Sequence, residues 1–93
     1  MDYNKTFRLL ISGRVQGVGF RYFAEDQAQR YNITGYVRNT FNNKVEIVCQ
    51  GNQQDLKLFF LSLKKGPTFA NITDFHIESF DNLEQYKHFE IKY

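Results

Sequence analysis

The sequence is poor in several residue types, and each shortage narrows the possible functions. Cys49 is the only cysteine, which excludes an internal disulfide and a cysteine-rich metal site. The two histidines, His76 and His88, occupy polar positions of alternating segments, so we interpret them as solvated surface residues rather than catalytic ones. No apolar run approaches the roughly 20 residues of a membrane-spanning helix. Because the first five residues are also polar, we expect a cytoplasmic protein without a membrane anchor.

The chain also has little net charge. The 12 lysines and arginines are scattered among 10 acidic residues, and a net charge of +2 is too small to indicate a nucleic-acid partner. A chain of 93 residues has room for one core, so we expect a single domain over residues 1–93. Ten phenylalanines and six tyrosines supply much of that core. The composition, with 42% hydrophobic and 24% charged residues, is typical of a soluble globular protein.

The most informative segment is a glycine-rich turn, Gly13-Arg14-Val15-Gln16-Gly17-Val18-Gly19-Phe20-Arg21. A strand-like run over residues 7–12 precedes it, and apolar residues at helical spacing follow from Phe20. Such a turn directs backbone N–H groups at a helix N-terminus, where anions bind. Between Arg14 and Arg21 there is no Ser, Thr, Asp or Asn to cap the helix, so the amides stay available for a ligand. The Arg21 guanidinium adds planar donors that suit phosphate or carboxylate.

Three other interpretations of this segment have to be weighed. It is also compatible with an ordinary strand-to-helix turn that carries a solvated arginine. A dinucleotide-binding loop requires a third glycine where Tyr22 stands, and a P-loop requires a Gly-Lys-Ser/Thr ending that is absent. Any anion bound here is therefore expected to be small.

Apolar periodicity predicts five strands and two helices along the chain. The predicted strands cover residues 7–12, 33–39, 45–50, 72–79 and 88–93, with a turn at 41–44 and a loop at 81–85. The first helix is expected over residues 20–31. The second begins after the capping residue Asn52 and ends at Lys64-Lys65-Gly66-Pro67. This order is that of an α+β, ferredoxin-like βαββαβ fold, with a mixed sheet, two helices on one face and an extra C-terminal strand.

The predicted topology brings two distant segments together. A crossover helix makes the first two strands parallel, and the third strand pairs antiparallel between them. The carboxyl ends of the first two strands then share one edge of the sheet, which is where ligands of open sheets bind. Asn39, at the end of the second strand, is therefore the best candidate to face the anion loop.

These segments resemble the acylphosphatase family over nearly the whole chain. Residues 13–21 resemble its phosphate-binding loop, and Gly35-Tyr36-Val37-Arg38-Asn39-Thr40 resembles the segment that carries its catalytic asparagine. Gly66-Pro67 and the closing residues 89–93 match as well. The chain departs from the family pattern at Tyr36, where tryptophan is common, at Lys92, where arginine is common, and at the turn over 41–44, which lacks the usual Asp-Gly.

The resemblance implies hydrolysis of acyl phosphates to a carboxylate and inorganic phosphate, without metal or other cofactor. Arg21 and Asn39 take the catalytic positions: Arg21 pairs with phosphoryl oxygens and Asn39 orients a water. The backbone amides that would hold the phosphate are those of Val15, Gln16, Gly17, Val18, Gly19 and Phe20. Inorganic phosphate or sulfate is expected to compete with the substrate. We expect a monomer that binds neither nucleic acid nor membrane.

Two other function classes remain open at this point. Acylphosphatase-like modules also occur in larger proteins, so the chain is alternatively a non-catalytic regulatory or binding domain, although Arg21 and Asn39 favour an enzyme. RNA-binding domains share the βαββαβ order but need exposed aromatic residues on the first and third strands. The third strand here carries Val45, Ile47 and Cys49 instead, with Glu46 opposed.

Overall fold

A computed structural model describes residues 4–80 and 84–93 of the chain. It contains seven elements in the predicted order: β1 (Lys5–Arg14), α1 (Phe20–Arg30), β2 (Thr34–Asn39), β3 (Val45–Gly51), α2 (Gln53–Lys65), β4 (Asn71–Ser79) and β5 (Phe89–Lys92). The α+β class and the βαββαβ order with an extra strand are thus confirmed. Of the predicted loop at 81–85, residues 81–83 lie outside the described residues.

The five strands form one mixed sheet in the order β4-β1-β3-β2-β5. Strand β3 is antiparallel to both β1 and β2, which confirms that β1 and β2 are parallel to each other. Strand β5 runs parallel to β2, and β4 runs antiparallel to β1. The C-terminal ends of β1, β2 and β5 and the N-terminal end of β4 therefore lie at the same end of the sheet.

Strand β1 is longer than the sequence predicted. It continues past Ser12, because after an irregularity between Ser12 and Gly13 it still pairs with β4, with Gly13 opposite Ile72 and Arg14 opposite Asn71. The apolar alternation that defined the predicted strand stops at Ser12, so the extension depends on a partner strand far along the chain. This pairing carries the chain to the start of the glycine-rich turn.

The two helices begin differently, as predicted. Helix α2 is capped by Asn52, whose side-chain oxygen accepts a hydrogen bond of 2.8 Å from the amide of Asp55. Helix α1 follows Gly19 and has no side-chain cap. It ends at Arg30, and Asn32 just beyond it has a φ of 59°, in the left-handed region where asparagine is tolerated.

Both helices pack on the same face of the sheet and enclose the apolar core. Its fully buried members include residues of β1, β2, β3 and both helices: Leu9, Ile11, Phe20, Ala24, Val37, Ile47, Phe59 and Leu63. Cys49 is also buried, as predicted, and burial raises the pKa of its thiol to about 12. The thiol therefore stays protonated and behaves as a small apolar side chain. The two histidines are exposed, as expected.

The opposite face of the sheet carries a buried carboxylate. All residues of β3 are buried, including Glu46, which is 5% exposed. Its carboxylate accepts hydrogen bonds from Arg8 at 2.7 Å and from Arg38 at 2.6 Å, and Arg8 also donates to Glu78. Burial acts to raise the pKa of Glu46, but the two arginines outweigh it, so the pKa is lowered.

Tyr36 on β2 and Lys92 on β5, two positions where the sequence departs from the family pattern, contact each other on this face. The ammonium of Lys92 lies 4.1 Å from the centre of the Tyr36 ring, a cation–π contact.

No helix within residues 4–80 and 84–93 is long and apolar enough to cross a membrane.

Candidate active site

The turn between β1 and α1 depends on two glycines in the left-handed region. Gly17 has a φ of 72° and Gly19 a φ of 79°, conformations that strain any residue with a Cβ. Gly19 is also the residue immediately before α1, so the chain enters the helix from a left-handed conformation. The sequence favours this local structure because glycine alternates with apolar residues and no capping side chain competes.

Among the described residues, the amides of this turn donate no hydrogen bond of good geometry to a protein acceptor outside the helices and strands. Outside the helices and strands, no backbone hydrogen bond of the described residues is donated by the amides of residues 15–20, and no side chain accepts one from them. These N–H groups lie at the positive end of the α1 dipole. The arrangement is therefore suited to an anion.

Gln16 has a role that the sequence did not reveal. Its side-chain amide donates two hydrogen bonds, to the carbonyl oxygens of Thr40 at 2.9 Å and of Lys44 at 2.8 Å. We expected only its backbone amide to act, in the phosphate loop. The contact joins the glycine-rich turn to the hairpin that follows Asn39. The available signal was a single long polar side chain in an otherwise apolar and glycine-rich turn.

Arg21 lies in the first turn of α1, and its guanidinium faces an aromatic ring rather than a carboxylate. Its Cζ is 4.8 Å from the centre of the Tyr93 ring, and no ion pair of the described residues involves Arg21. The Tyr93 hydroxyl lies 3.4 Å from that of Tyr22, and this hydrogen bond raises the pKa of Tyr93. The charged donors of Arg21 therefore remain available to a ligand.

The glycine-rich turn and Asn39, the two parts of the predicted site, line one cavity of about 190 Å³. It is lined by Val15, Gly17, Gly19, Phe20, Arg21, Tyr22 and Asn39. Of the predicted site residues, Gln16 and Val18 are not among its lining: Gln16 reaches the hairpin, and Val18 packs against the core. Asn39 thus meets the glycine-rich turn, as the strand topology predicted.

The side-chain oxygen of Asn39 is the most informative atom of the cavity. Asn39 Oδ1 is buried and has no hydrogen-bond partner among the described residues. A buried acceptor without a partner is costly, on the order of 1–3 kcal/mol, unless a ligand or water satisfies it. Asn39 lines the same cavity as Arg21 and the glycine-rich turn, so its unpartnered oxygen lies in the region where the predicted site residues meet.

The donor set of this cavity favours anion chemistry. Arg21 and the backbone amides supply positive charge and hydrogen-bond donors, while the lining residues include no carboxylate, imidazole or thiol. Elsewhere too, no group of three or more potential metal ligands occurs in the described part of the chain. The cavity therefore offers donors and positive charge that suit an anion.

Comparison with known proteins gives a consistent assignment. A family model described as acylphosphatase matches residues 7–91. An acylphosphatase of Bacillus licheniformis is 40% identical over 87 residues, which is 94% of this chain and 97% of that protein. The crystal structure of acylphosphatase from Bacillus subtilis has a TM-score of 0.92 at 35% identity, and the match covers 98% of this chain and 100% of that one.

The same fold also occurs within a much longer protein. The crystal structure of HypF from T. kodakarensis matches with a TM-score of 0.86 at 32% identity, covering 96% of this chain but only 12% of the HypF chain. The relatives from Bacillus, by contrast, match over nearly their full length.

Proposed function

Because the chain belongs to the acylphosphatase family and hydrolyses acyl phosphates, we propose that the cavity at the end of β1 is where that reaction takes place. The observation that carries this proposal is that Asn39, whose Oδ1 is buried without a hydrogen-bond partner among the described residues, lines the same small cavity as Arg21 and the glycine-rich turn. An acceptor for water and donors for an anion then lie within one site.

The phosphoryl group binds to the glycine-rich turn and Arg21. The amides of residues 15–20 donate to its oxygens, and the Arg21 guanidinium pairs with two of them. The cation–π contact with Tyr93 leaves these guanidinium donors free. Phosphoryl transfer spreads negative charge over the equatorial oxygens, so fixed donors at these positions lower the barrier.

Asn39 orients the attacking water. Its Oδ1 accepts a hydrogen bond from the water, whose oxygen then adds to phosphorus in line with the leaving carboxylate. The bond between phosphorus and the acyl oxygen breaks, and the carboxylate leaves with the electron pair. The water's proton passes to a phosphoryl oxygen, so no protein base is required. The carboxylate is a good leaving group, and positioning therefore suffices.

The remaining features of the proposal concern the protein as a whole. Residues 1–93 form one acylphosphatase-like domain that acts as a monomer in the cytoplasm, without metal and without nucleic-acid or membrane partners. Inorganic phosphate, which is the product, competes with the substrate because the same amides and Arg21 bind it. Sulfate competes for the same reason. Support comes from the small cavity, which is lined by anion donors, and from the low net charge.

The proposal is tested by turnover of benzoyl phosphate with and without a chelator such as EDTA. We expect saturable hydrolysis that the chelator does not change, inhibition by inorganic phosphate, and loss of turnover in Arg21→Ala and Asn39→Ala. Thermal melts establish that both variants are folded. Undiminished turnover in either folded variant would place the reaction elsewhere, and inhibition by the chelator would refute the metal-independent mechanism.

A further inference from the structure

From a groove between α2 and the sheet we infer a second binding site, which takes a free carboxylate with an aliphatic tail, such as a medium-chain fatty acid. The groove has a volume of about 340 Å³, and small-molecule sites measure roughly 300–1,000 Å³. It shares no lining residue with the cavity beside Arg21. The site is therefore separate from the one proposed for the reaction.

The walls of the groove are apolar. Phe7 of β1 and Phe60 of α2 meet edge to face, with ring centres 5.6 Å apart. Leu56 is buried, Ile77 of β4 is partly buried, and Leu61 is 56% exposed at the surface. Each methylene of a ligand that leaves water along such walls strengthens binding about fourfold. The groove therefore suits an aliphatic tail.

The charged residues that line the groove are all positive. They are Lys5, Lys57 and Lys64, and no carboxylate is among the described residues of the lining. No ion pair of the described residues involves any of these lysines. Unpaired lysines around an apolar groove complement a ligand with an apolar tail and an anionic head.

The head of the ligand binds at the end of the groove where α2 begins. Lys5 lies opposite Gly51, which directly precedes the capping residue Asn52. Because alternate residues of a strand point to the same side, Lys5 shares the face of Phe7. Lys57 lies in the second turn of α2 and lines the same groove. A carboxylate is the favoured head, because the reaction of this family releases carboxylates around the protein.

The tail runs along α2 toward Lys64. Two helical turns, about 11 Å along the axis, separate Lys64 from Lys57. Phe60 and Leu61 lie between them. The ammonium of Lys64 is 5.5 Å from the centre of the Phe75 ring, a cation–π contact that holds it at the far end. This length matches a medium-chain tail, so decanoate is the appropriate probe.

The test is a titration of the isotope-labelled protein with decanoate below its micellar concentration, followed by amide chemical shifts. We expect saturable shifts at four amides of the groove, those of Leu56, Phe60, Leu61 and Ile77. Arg21→Ala and millimolar phosphate should leave these shifts unchanged. Hexanoate, with the same head and a shorter tail, should bind at least about tenfold more weakly. Decyltrimethylammonium, with the same tail and the opposite charge, should not bind.

Matched double variants test the head of the ligand. Combining Lys5→Ala with Lys57→Ala should weaken decanoate binding about fivefold to thirtyfold, as expected for the loss of two exposed ion pairs. Combining Lys65→Ala with Lys87→Ala makes the same change in charge at exposed lysines that do not line the groove. This control should retain the wild-type affinity. Equal affinities of the two double variants would overturn the inference.

A second matched pair tests the tail. Leu61→Gln should weaken decanoate binding at least about threefold. Leu58→Gln should not, because Leu58 is 45% exposed on the same helix but does not line the groove. Equal effects of the two substitutions would contradict the inference.

Three further results would overturn the proposed site. Shifts confined to the glycine-rich turn would place decanoate in the cavity beside Arg21. Equal binding of decyltrimethylammonium would show that the lysines do not select the head. A dimer in sedimentation that Leu61→Gln dissociates would show that a second copy of the chain covers the groove.

Discussion

The side chain of Gln16 is hydrogen-bonded to the backbone carbonyl of Thr40, the residue that follows Asn39, at 2.9 Å. A second bond of 2.8 Å from the same nitrogen reaches the carbonyl of Lys44 across the hairpin. Gln16 lies in the glycine-rich turn, so one amide group joins the two segments that form the site. These bonds fix the hairpin relative to the turn through backbone carbonyl groups and do not involve the side chains of Arg21 and Asn39.

Replacing Gln16 with glutamate should therefore impair the reaction. The new carboxylate cannot donate to the two carbonyl oxygens and repels them, so the turn and the hairpin move apart. We expect kcat to fall at least about tenfold, the equivalent of roughly 1.4 kcal/mol in the barrier. Steady-state kinetics and a thermal melt of the same preparation measure this effect. A folded Gln16→Glu protein with wild-type kcat would show that the two bonds do not position the site.

Arg21→Lys should abolish most turnover. A lysine ammonium is a point charge that cannot reproduce two parallel hydrogen bonds to phosphoryl oxygens. Loss of one such donor costs about a hundredfold or more in rate. The comparison is kcat/KM of Arg21→Lys against Arg14→Lys, an exposed arginine at the end of β1 that does not line the cavity. Similar kcat/KM in the two variants would remove Arg21 from the mechanism.

Asn39→Ala should lower kcat more than it weakens phosphate binding, because the partner of Oδ1 is water rather than the phosphoryl group. We expect kcat to fall about a hundredfold, as is typical when a reacting group is misplaced. The inhibition constant of inorganic phosphate should change much less. Asn71→Ala, at the exposed start of β4, is the control. A weaker phosphate affinity with kcat unchanged would contradict the assignment.

Anions should stabilise the folded protein through the uncapped start of α1. A ligand that binds only the folded state at a hundredfold excess over its Kd contributes about 2.7 kcal/mol. In a domain of this size each kcal/mol corresponds to roughly 4–8 °C in Tm. We therefore expect millimolar phosphate or sulfate to raise Tm, and Arg21→Ala to remove most of the rise.

Chloride at matched ionic strength controls for screening, which acts on both proteins alike. Sulfate also stabilises proteins through exclusion from their surface, so some of its effect should persist in the variant. The decisive quantity is therefore the rise in Tm of the wild-type protein compared with the rise in Tm of Arg21→Ala. Equal Tm shifts in the wild type and Arg21→Ala would mean that Arg21 contributes little to anion binding.

The buried carboxylate of Glu46 should make stability depend on pH in the acid range. Its pKa is lowered in the folded protein, so its contribution is present above the unfolded-state pKa near 4.3 and is lost as pH falls through the folded-state value. Glu46→Gln should destabilise the protein at pH 7 by about 1–3 kcal/mol, because two arginines lose a charged acceptor. The variant should also show a weaker loss of stability below pH 4.

Urea unfolding at several pH values measures both effects. Glu78→Gln is the control, because Glu78 is exposed and its partners are Arg8 at 3.0 Å and His76 at 3.8 Å. A surface pair of this kind contributes about 1 kcal/mol at most. Equal destabilisation by the two substitutions would mean that the burial of Glu46 has no energetic consequence.

Local signals in the sequence were sufficient to predict the helices and strands. They also predicted that Asn39 lies near the glycine-rich turn. The Asn52 cap and the missing cap of α1 were both visible in single residues, and the order of β1, β3 and β2 followed from connectivity, whereas the positions of β4 and β5 did not. The Glu46 network was not predictable, because Arg8 and Arg38 reach it across two different strands. The contact of Tyr93 with Arg21 likewise joins residues that only the completed sheet brings together.

The order of the strands has a consequence for how the protein folds. Arg21 and Asn39 lie in the first half of the chain, yet β1 is flanked by β3 on one side and by β4 on the other, with Phe7 opposite Ser79. Pairings between such distant segments form slowly, because a long loop must close before any contact compensates for its entropy. We therefore expect closure of the sheet to limit the folding rate, and the cavity beside the end of β1 to form only when β4 has paired.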